Sequence, residues 1–221
     1  MTHSSLIVIR QEHRCLSAML RSITLLLREH RRHGTLPDFD ALQAMLFYVD
    51  EFPEKLHHPK ESLLLFPKLR GRSVRIDAVL DQLDRDHAHG ECAIRELEHA
   101  LLGFRTMSGT VQCEMRRDNF EQLMRHYADF YLAHMRIEET QILPLAESVL
   151  NADEWAELDA AFLMNRDPLA GHEADEPYKP LFRTIVAALH GCGNVGSVLE
   201  AFTGTALPMF SDTPPPRRPR P

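Results

Sequence analysis

The sequence has little glycine, few aromatic residues and no long hydrophobic run. Ten of its 221 residues are glycine and 7% are aromatic, whereas leucine, alanine, glutamate and arginine are abundant. This composition favours helices in a globular protein, and the length allows one good-sized core or at most two small ones. Apolar runs such as Leu63–Phe66 are far shorter than the roughly 20 residues that a membrane-spanning helix needs. We therefore expect no membrane partner.

An excess of positive charge is also missing. The formal net charge is −7, and no basic patch with interleaved aromatic residues stands out. Both observations argue against broad affinity for nucleic acid. The first residues, MTHSSLIVIRQEHR, contain neither a basic stretch ahead of an apolar one nor a small-residue cleavage site. No secretory signal is predicted, and a cytoplasmic location is expected.

The cysteines are few and widely spaced. Cys15, Cys92, Cys113 and Cys192 form no CxxC pair, so we expect free, mostly buried thiols in a reducing cytoplasm. Thirteen histidines, by contrast, stand out in a chain of this length.

Apolar residues recur at steps of three and four in four long segments, which predicts four helices. These segments run from Leu6 to Leu27, from Leu42 to Leu69, from Ile76 to Phe104 and from Val111 to Leu145. Short connections between long helices favour an up-down-up-down four-helix bundle. The fold class is therefore predicted to be all-α.

Local signals mark the ends and irregularities of these helices. Gly34 and Pro37 are expected to end the first helix, and Asp38 and Ser73 to cap the second and the third. Prolines inside the second and fourth patterns are expected to kink or distort them, because a proline lacks the backbone N–H group. They are Pro53, Pro59 and Pro144.

The character of the chain changes near residue 150. We expect the bundle over residues 1–150 and a C-terminal extension with short helices over residues 151–190. The remaining residues, 191–221, are rich in glycine and proline and are predicted to be a disordered tail.

Each predicted bundle helix carries a histidine in or beside its apolar stripe, and two of these histidines have a glutamate four residues later. Such a pair lies on one helix face, one turn apart. Four imidazoles and two carboxylates would converge on the bundle axis, a donor set that suits two iron ions because carboxylates can bridge cations. The candidate metal ligands are His13, His57, Glu61, His87, His134 and Glu138.

In the segment EKLHHPKESLLLFPKL, a bound metal would explain why ionisable groups are buried. Its ionisable groups lead directly into apolar residues, and burying one such group without a partner costs several kcal/mol by an order-of-magnitude estimate. The alternatives are core histidines bonded to the backbone, or surface pairs worth only about 0.2–0.5 kcal/mol. A histidine on the inward stripe of every bundle helix weighs against both.

Other residues are candidates for supporting roles. Glu91 is a candidate extra ligand, and Asp86 or Glu139 could orient a ligand imidazole by accepting its hydrogen bond. Gly90 would leave room where a side chain would otherwise fill the core. Surface or supporting roles are expected for the remaining histidines, among which His58 directly follows a candidate ligand.

A ferritin-like di-iron bundle is a competing architecture, since it uses Glu-x-x-His on two helices. The sequence contains this spacing at Glu54–His57 and at Glu96–His99. That assignment leaves three of the four inward histidines unexplained.

The ordered array of His13, His57-x-x-x-Glu61, His87 and His134-x-x-x-Glu138, within "HHPKE…LFPKL" and "HMRIEETQILPLAE", resembles the bacterial hemerythrin-like, or HHE cation-binding, family over roughly residues 5–150. The resemblance implies a hemerythrin-like bundle around a non-haem di-iron centre. It implies terminal histidine ligands, with Glu61 and Glu138 bridging the irons. The family includes oxygen carriers, oxygen and redox sensors, iron-responsive proteins and proteins that deal with nitric oxide.

The sequence departs from the oxygen carriers of that family at two positions. Glu91 stands where they have a second histidine on the third helix, and Glu138 where they have an aspartate. More oxygen ligands favour ferric iron and disfavour reversible oxygen carriage. We therefore expect a protein that binds or reacts with oxygen, peroxide or nitric oxide in stress response or sensing.

Two other functions stay open at this point. One is an iron-binding protein that stores, senses or buffers iron without catalysis. The other is a metal-free helical interaction module whose histidines are satisfied by hydrogen bonds.

Overall fold

The structure, a computed structural model, describes residues 3–191 and contains helices but no strand within that range. Its six long helices follow one another along the chain. They are α1 (Ser4–His33), α2 (39–69), α3 (Val74–Met107), α4 (113–149), α5 (Ala152–Phe162) and α6 (Lys179–Gly191). Short 3₁₀ turns at Pro168–Ala170 and Glu176–Tyr178 lie between the last two.

Helices α2 and α4 are continuous but contain wide π-helical turns. In α2, π turns at Asp50–His57 and Glu61–Leu65 alternate with α-helix at Phe39–Val49, His58–Lys60 and Phe66–Leu69. In α4, the π turn Glu138–Ile142 separates Cys113–Ile137 from Leu143–Val149. The distortion predicted at the prolines takes this form, since a proline cannot donate the regular helical hydrogen bond.

The helix ends agree with most of the sequence signals. Gly34 ends α1 in the left-handed conformation (φ 64°), and Asp38 caps α2 by accepting hydrogen bonds from the backbone of Asp40 and Ala41. Ser73 occupies the N-cap position of α3. Its side chain makes no capping hydrogen bond with the described residues, so that part of the prediction is wrong.

The first four helices form a closed ring of neighbours. Helix α1 packs against α2, α2 against α3, α3 against α4, and α4 against α1. The connections are short, so consecutive helices run in opposite directions. The predicted all-α bundle is confirmed. Helix α5 packs against α1, and α6 against α2.

Two apolar cores fill the bundle, one towards each end. The larger core includes Met19 and Phe104, and the smaller one includes Phe66 and Leu143. On α1, α2 and α3 the candidate ligands lie between the residues of the two cores, and on α4 they lie where the larger core ends at Met135 and the smaller one begins. Helix α5 extends the smaller core and α6 the larger one. The fold therefore places a polar layer across the middle of the bundle.

Other predictions about the chain have mixed outcomes. No helix within residues 3–191 is both long and apolar enough to cross a membrane. Cys15, Cys92 and Cys113 are free thiols, but only Cys15 is buried and Cys92 is exposed, so the expectation of mostly buried thiols is wrong. Cys192 and the predicted tail after residue 191 lie outside the described residues.

Candidate metal centre

The six residues singled out by helical spacing lie together in the polar layer. Each is 7% exposed or less. Helix α1 contributes one of them, α3 another, and α2 and α4 two each. The last residue of one π turn in α2, the first of the next and the first of the π turn in α4 are among them. They are His13 on α1, His57 and Glu61 on α2, His87 on α3, and His134 and Glu138 on α4.

One half of the centre is formed by the histidines of α1 and α2. Their Nε2 atoms are 3.2 Å apart. Glu61 Oε1 lies 3.2 Å from the Nε2 atom of His57, and Glu138 Oε2 lies 3.4 Å from that of His13. Two imidazole nitrogens therefore face two carboxylate oxygens that come from different helices.

The other half repeats this arrangement with the histidines of α3 and α4. The Nε2 atoms of His87 and His134 are 3.0 Å apart. Glu138 Oε1 lies 3.1 Å from the Nε2 atom of His134, and Glu61 Oε2 lies 3.6 Å from that of His87. Each glutamate thus presents one oxygen to each pair of histidines.

These separations suit donor atoms that share an ion. Two donors that each lie about 2.1 Å from one ion are separated by roughly 3.0–3.4 Å at tetrahedral or octahedral angles. Both oxygens of Glu61 and both of Glu138 are buried and have no hydrogen-bond partner among the described residues. Buried oxygens without a partner are costly, and a cation in each half would supply one. The residues present therefore fit a metal centre.

The outer nitrogen of each imidazole, Nδ1, contacts a polar side chain of a neighbouring helix. These contacts fix the ring and turn Nε2 towards the centre. The pairs are His13 with Glu139 at 3.1 Å, His57 with Glu12 at 2.7 Å, His87 with Ser62 at 2.9 Å, and His134 with Asp86 at 3.4 Å. The predicted contacts of Asp86 and Glu139 are confirmed.

The family model described as the Hemerythrin HHE cation binding domain matches residues 5–146, more than half of the chain. This chain belongs to the hemerythrin family. No curated protein matches it. The match covers the four bundle helices almost completely, and all six residues of the candidate metal centre lie within it.

The charges of the centre perturb one another strongly. Burial raises the pKa of Glu61, and the nearby Glu138 carboxylate raises it further. Burial disfavours the charged form of His134, but the carboxylates of Glu138, Asp86 and Glu61 together outweigh that effect and raise the pKa of the imidazole to about 10. Burial and the neighbouring His58 lower the pKa of His87 to about 2. Metal binding would have to displace protons from some of these groups.

Glu12 and Ser62 are contacts that the sequence reasoning missed, although the pattern contains a signal for them. Glu12 and Asp86 each directly precede a candidate histidine and reach the histidine of the next helix. Ser62 and Glu139 each directly follow a candidate glutamate and also reach another helix. The α1–α2 pair and the α3–α4 pair therefore repeat one contact scheme.

His58 is buried rather than at the surface. Its ring lies against His87, and its Nδ1 atom is 3.1 Å from Glu54 Oε2. Together with His87 and His134 it forms a third group of side chains that could hold an ion. Its position next to the candidate metal centre agrees with the supporting role, one of the two roles expected for it.

Several other candidates lie away from the centre. Glu91, the candidate extra ligand, is exposed on α3, and His126 is exposed on α4. Glu96 and His99 are exposed as well. Because one of its two Glu-x-x-His pairs faces solvent, the ferritin-like alternative is wrong.

The segment after α5 reaches the half of the centre that contains His57. Asn165 Nδ2 donates a hydrogen bond to Glu12 Oε2 (3.0 Å), and Lys60 Nζ donates to the side-chain oxygen of Asn165. A narrow pocket with room for about one water molecule is lined by Glu12, Asn165 and neighbouring residues. Its lining includes His13 and His57, so the pocket reaches the candidate ligands from outside.

Proposed function

We propose that this protein holds two non-haem iron ions and binds or reacts with oxygen, peroxide or nitric oxide, in stress response or in sensing. The observation that carries the proposal is the position of two buried carboxylates between two pairs of histidines. Each of Glu61 and Glu138 turns one unpartnered oxygen to each pair. This arrangement supports two ions bridged by two carboxylates better than a single ion.

In this proposal the protein's own residues hold, orient and enclose the ions. Four histidines are terminal ligands, and the outer contacts of their Nδ1 atoms keep the Nε2 atoms aimed inward. The two apolar cores on either side limit the access of water. Bound iron would supply Lewis acidity and one-electron redox chemistry. The pocket beside His13 and His57 offers a small diatomic molecule or a peroxide a route inward.

The set of donors favours reaction or sensing over reversible oxygen carriage. Glu91, at the position of the carriers' extra histidine, is exposed, which leaves four imidazoles and two carboxylates. A centre richer in oxygen donors stabilises ferric iron, which does not carry oxygen reversibly. The proposal includes a bundle domain over residues 1–150, an extension over residues 151–190 and a cytoplasmic location, the last supported by three described cysteines that are free.

The test is metal analysis of the protein purified from iron-replete cells, with absorption spectra recorded before and after adding peroxide or nitric oxide. We expect about two irons per chain and near-ultraviolet bands that change on addition. Two irons with an unresponsive spectrum would favour iron storage or buffering. Absence of iron would overturn the proposal and favour a metal-free interaction module.

A matched pair of histidine variants on α4 sharpens this test. His134→Ala removes a buried candidate ligand, whereas His126→Ala removes an exposed histidine two turns earlier. We expect the first variant to lose at least one iron and the second to keep both. Equal iron content in the two variants would contradict the assignment of His134.

A further inference from the structure

A second buried polar cluster lies beside the metal centre, and the proposed function does not use it. Its middle is Glu54, which is 2% exposed. The hydroxyls of Tyr127 and Tyr131 both donate hydrogen bonds to its Oε1 atom, at 2.6 and 2.5 Å. His58 Nδ1 lies 3.1 Å from its other oxygen. Burial raises the pKa of Glu54, so this carboxylate is suited to accepting a proton.

Stacked rings connect this cluster with a candidate ligand. The ring of His58 is nearly parallel to that of His87, with centroids 4.4 Å apart and planes at 13°. On its other side, His58 is nearly parallel to Tyr131, at 5.2 Å and 6°. The column His87, His58, Tyr131 therefore runs from the metal centre to a phenol without a gap.

Gly90 on α3 leaves the space that the hydroxyl of Tyr131 occupies. A Cβ atom at position 90 would lie 1.7 Å from Tyr131 Oη and 2.9 Å from Glu54 Oε1. The room expected at this glycine is thus taken by a phenol and a carboxylate. Glycine inside a helix is less favourable than alanine, because it loses more backbone freedom on folding. This unfavourable residue, Gly90, lies where the hydroxyl of Tyr131 contacts Glu54.

We propose that Tyr131 is a redox-active tyrosine, which gives one electron to the iron centre through the ring column while its phenolic proton passes to Glu54. This inference rests on the proposed di-iron function, with peroxide as the oxidant. Peroxide takes up two electrons and two solvent protons, its O–O bond breaks and two water molecules form. One electron would come from a centre that holds a single ferrous ion, which becomes ferric, and the other from Tyr131, which becomes a neutral tyrosyl radical.

Tyr127 provides a matched control because it shares the carboxylate but not the column. Its hydroxyl donates to the same oxygen of Glu54, whereas its ring is tilted by 60° against Tyr131 and the stack with His58 belongs to Tyr131. Tyr127→Phe and Tyr131→Phe each remove one hydroxyl from Glu54. A purely structural role for the hydroxyls would affect both variants alike.

The experiment uses the full chain, loaded with iron, reduced anaerobically by one electron per two irons, mixed with one equivalent of hydrogen peroxide and frozen within milliseconds to seconds. Electron paramagnetic resonance then measures the radical, and ring-deuterated tyrosine identifies it by narrowing the hyperfine pattern. We expect a tyrosyl signal in the wild type and in Tyr127→Phe, and a loss of at least tenfold in Tyr131→Phe. Iron content and circular dichroism are measured on the same samples.

The possible failures can be distinguished. If the wild type contains two irons but forms no tyrosyl radical, or if Tyr131→Phe forms as much as the wild type, the relay is overturned and the di-iron proposal stands. If the wild type binds no iron, metal analysis shows that the proposed function fails and the relay fails with it.

Discussion

The Nδ1 atom of His57 on α2 lies 2.7 Å from a carboxylate oxygen of Glu12 on α1. The contact fixes the imidazole in the orientation that turns Nε2 towards the centre, and the negative charge makes that nitrogen a stronger ligand. The same oxygen of Glu12 accepts a hydrogen bond from Asn165 in the C-terminal extension. Glu12 therefore joins the extension to the metal centre.

Glu12→Gln should weaken metal binding without unfolding the protein. Glutamine keeps an acceptor for His57 but removes the charge, and loss of such an outer contact typically costs 10- to 100-fold in metal affinity. We expect about a 10-fold loss, measured by competition with a chelator. Glu29→Gln, at a half-exposed position on the same helix, is the control. An affinity for Glu12→Gln within twofold of the control would refute this role.

Glu61→Gln and Glu138→Gln should each abolish most of the stabilisation that iron confers. A ligand at 100 times its dissociation constant raises the free energy of unfolding by about 2.7 kcal/mol. Both variants remove a charged bridge while keeping the size of the side chain, so helix content should stay largely intact. Thermal unfolding with and without iron measures the difference, with Glu147→Gln, half-exposed on α4, as control. Wild-type stabilisation in both variants would sink the bridging assignment.

Gly90→Ala should destabilise the protein by about 1–3 kcal/mol, because the new methyl group overlaps the hydroxyl of Tyr131. Gly103→Ala on the same helix is the control, since its Cβ would meet only the flexible Arg116 side chain at 3.6 Å. Helix propensity makes that control neutral or stabilising by up to about 1 kcal/mol. Urea unfolding measures both variants. Equal stability of the two would show that the space at Gly90 is not needed.

The double variant Gly90→Ala/Tyr131→Phe extends this test. Removing the hydroxyl should recover part of the loss, because the shortest contact disappears while Glu54 Oε1 stays 2.9 Å from the added carbon. Strictly additive effects of the two substitutions would mean that the hydroxyl does not determine the clash.

The free energy of unfolding of the Asp167→Asn variant should increase relative to that of the wild type as pH rises. Asp167 is buried and accepts hydrogen bonds from Tyr48 (2.6 Å) and from the backbone of Leu169. Burial raises its pKa from 3.8 to about 7. The folded protein holds the proton on Asp167 more tightly than the unfolded chain does. The free energy of unfolding that this proton contributes is therefore complete below about pH 4 and is lost as pH rises through about 7.

Asparagine stays neutral throughout that range. The difference in the free energy of unfolding, variant minus wild type, should therefore grow with pH by as much as ~4 kcal/mol. Urea unfolding of the chelator-treated proteins at pH 4.5, 6 and 8 measures it. A difference that stays flat or falls with pH would contradict the raised pKa of Asp167.

Helical spacing was sufficient to find the candidate ligands. His57 and Glu61 are four residues apart, as are His134 and Glu138, so each pair shares a face of its own helix whatever the tertiary structure. The inward stripe then selected His13 in the same way. The helices could be predicted from the periodicity of apolar residues, and two of their ends from Gly34 and Asp38. These signals depend on local geometry, which the sequence alone determines.

Contacts between helices could not be derived from spacing along one helix. The hydrogen bond of Tyr131 to Glu54 depends on how α4 is rotated against α2. The need for glycine at position 90 depends on how α3 packs against both of these residues. The prolines predicted irregularity but not its type. Backbone hydrogen bonding decides that a π turn begins at Glu61 and another at Glu138.

We propose that each of the two pairs of histidines holds one ion. The most direct measurement is an anomalous difference map of the iron-loaded crystal, recorded at the iron absorption edge. We expect two peaks per chain, one next to the Nε2 atoms of His13 and His57, the other beside the α3–α4 pair. Glu61 and Glu138 should lie between the peaks. A single peak, or none at these nitrogens, would contradict the account.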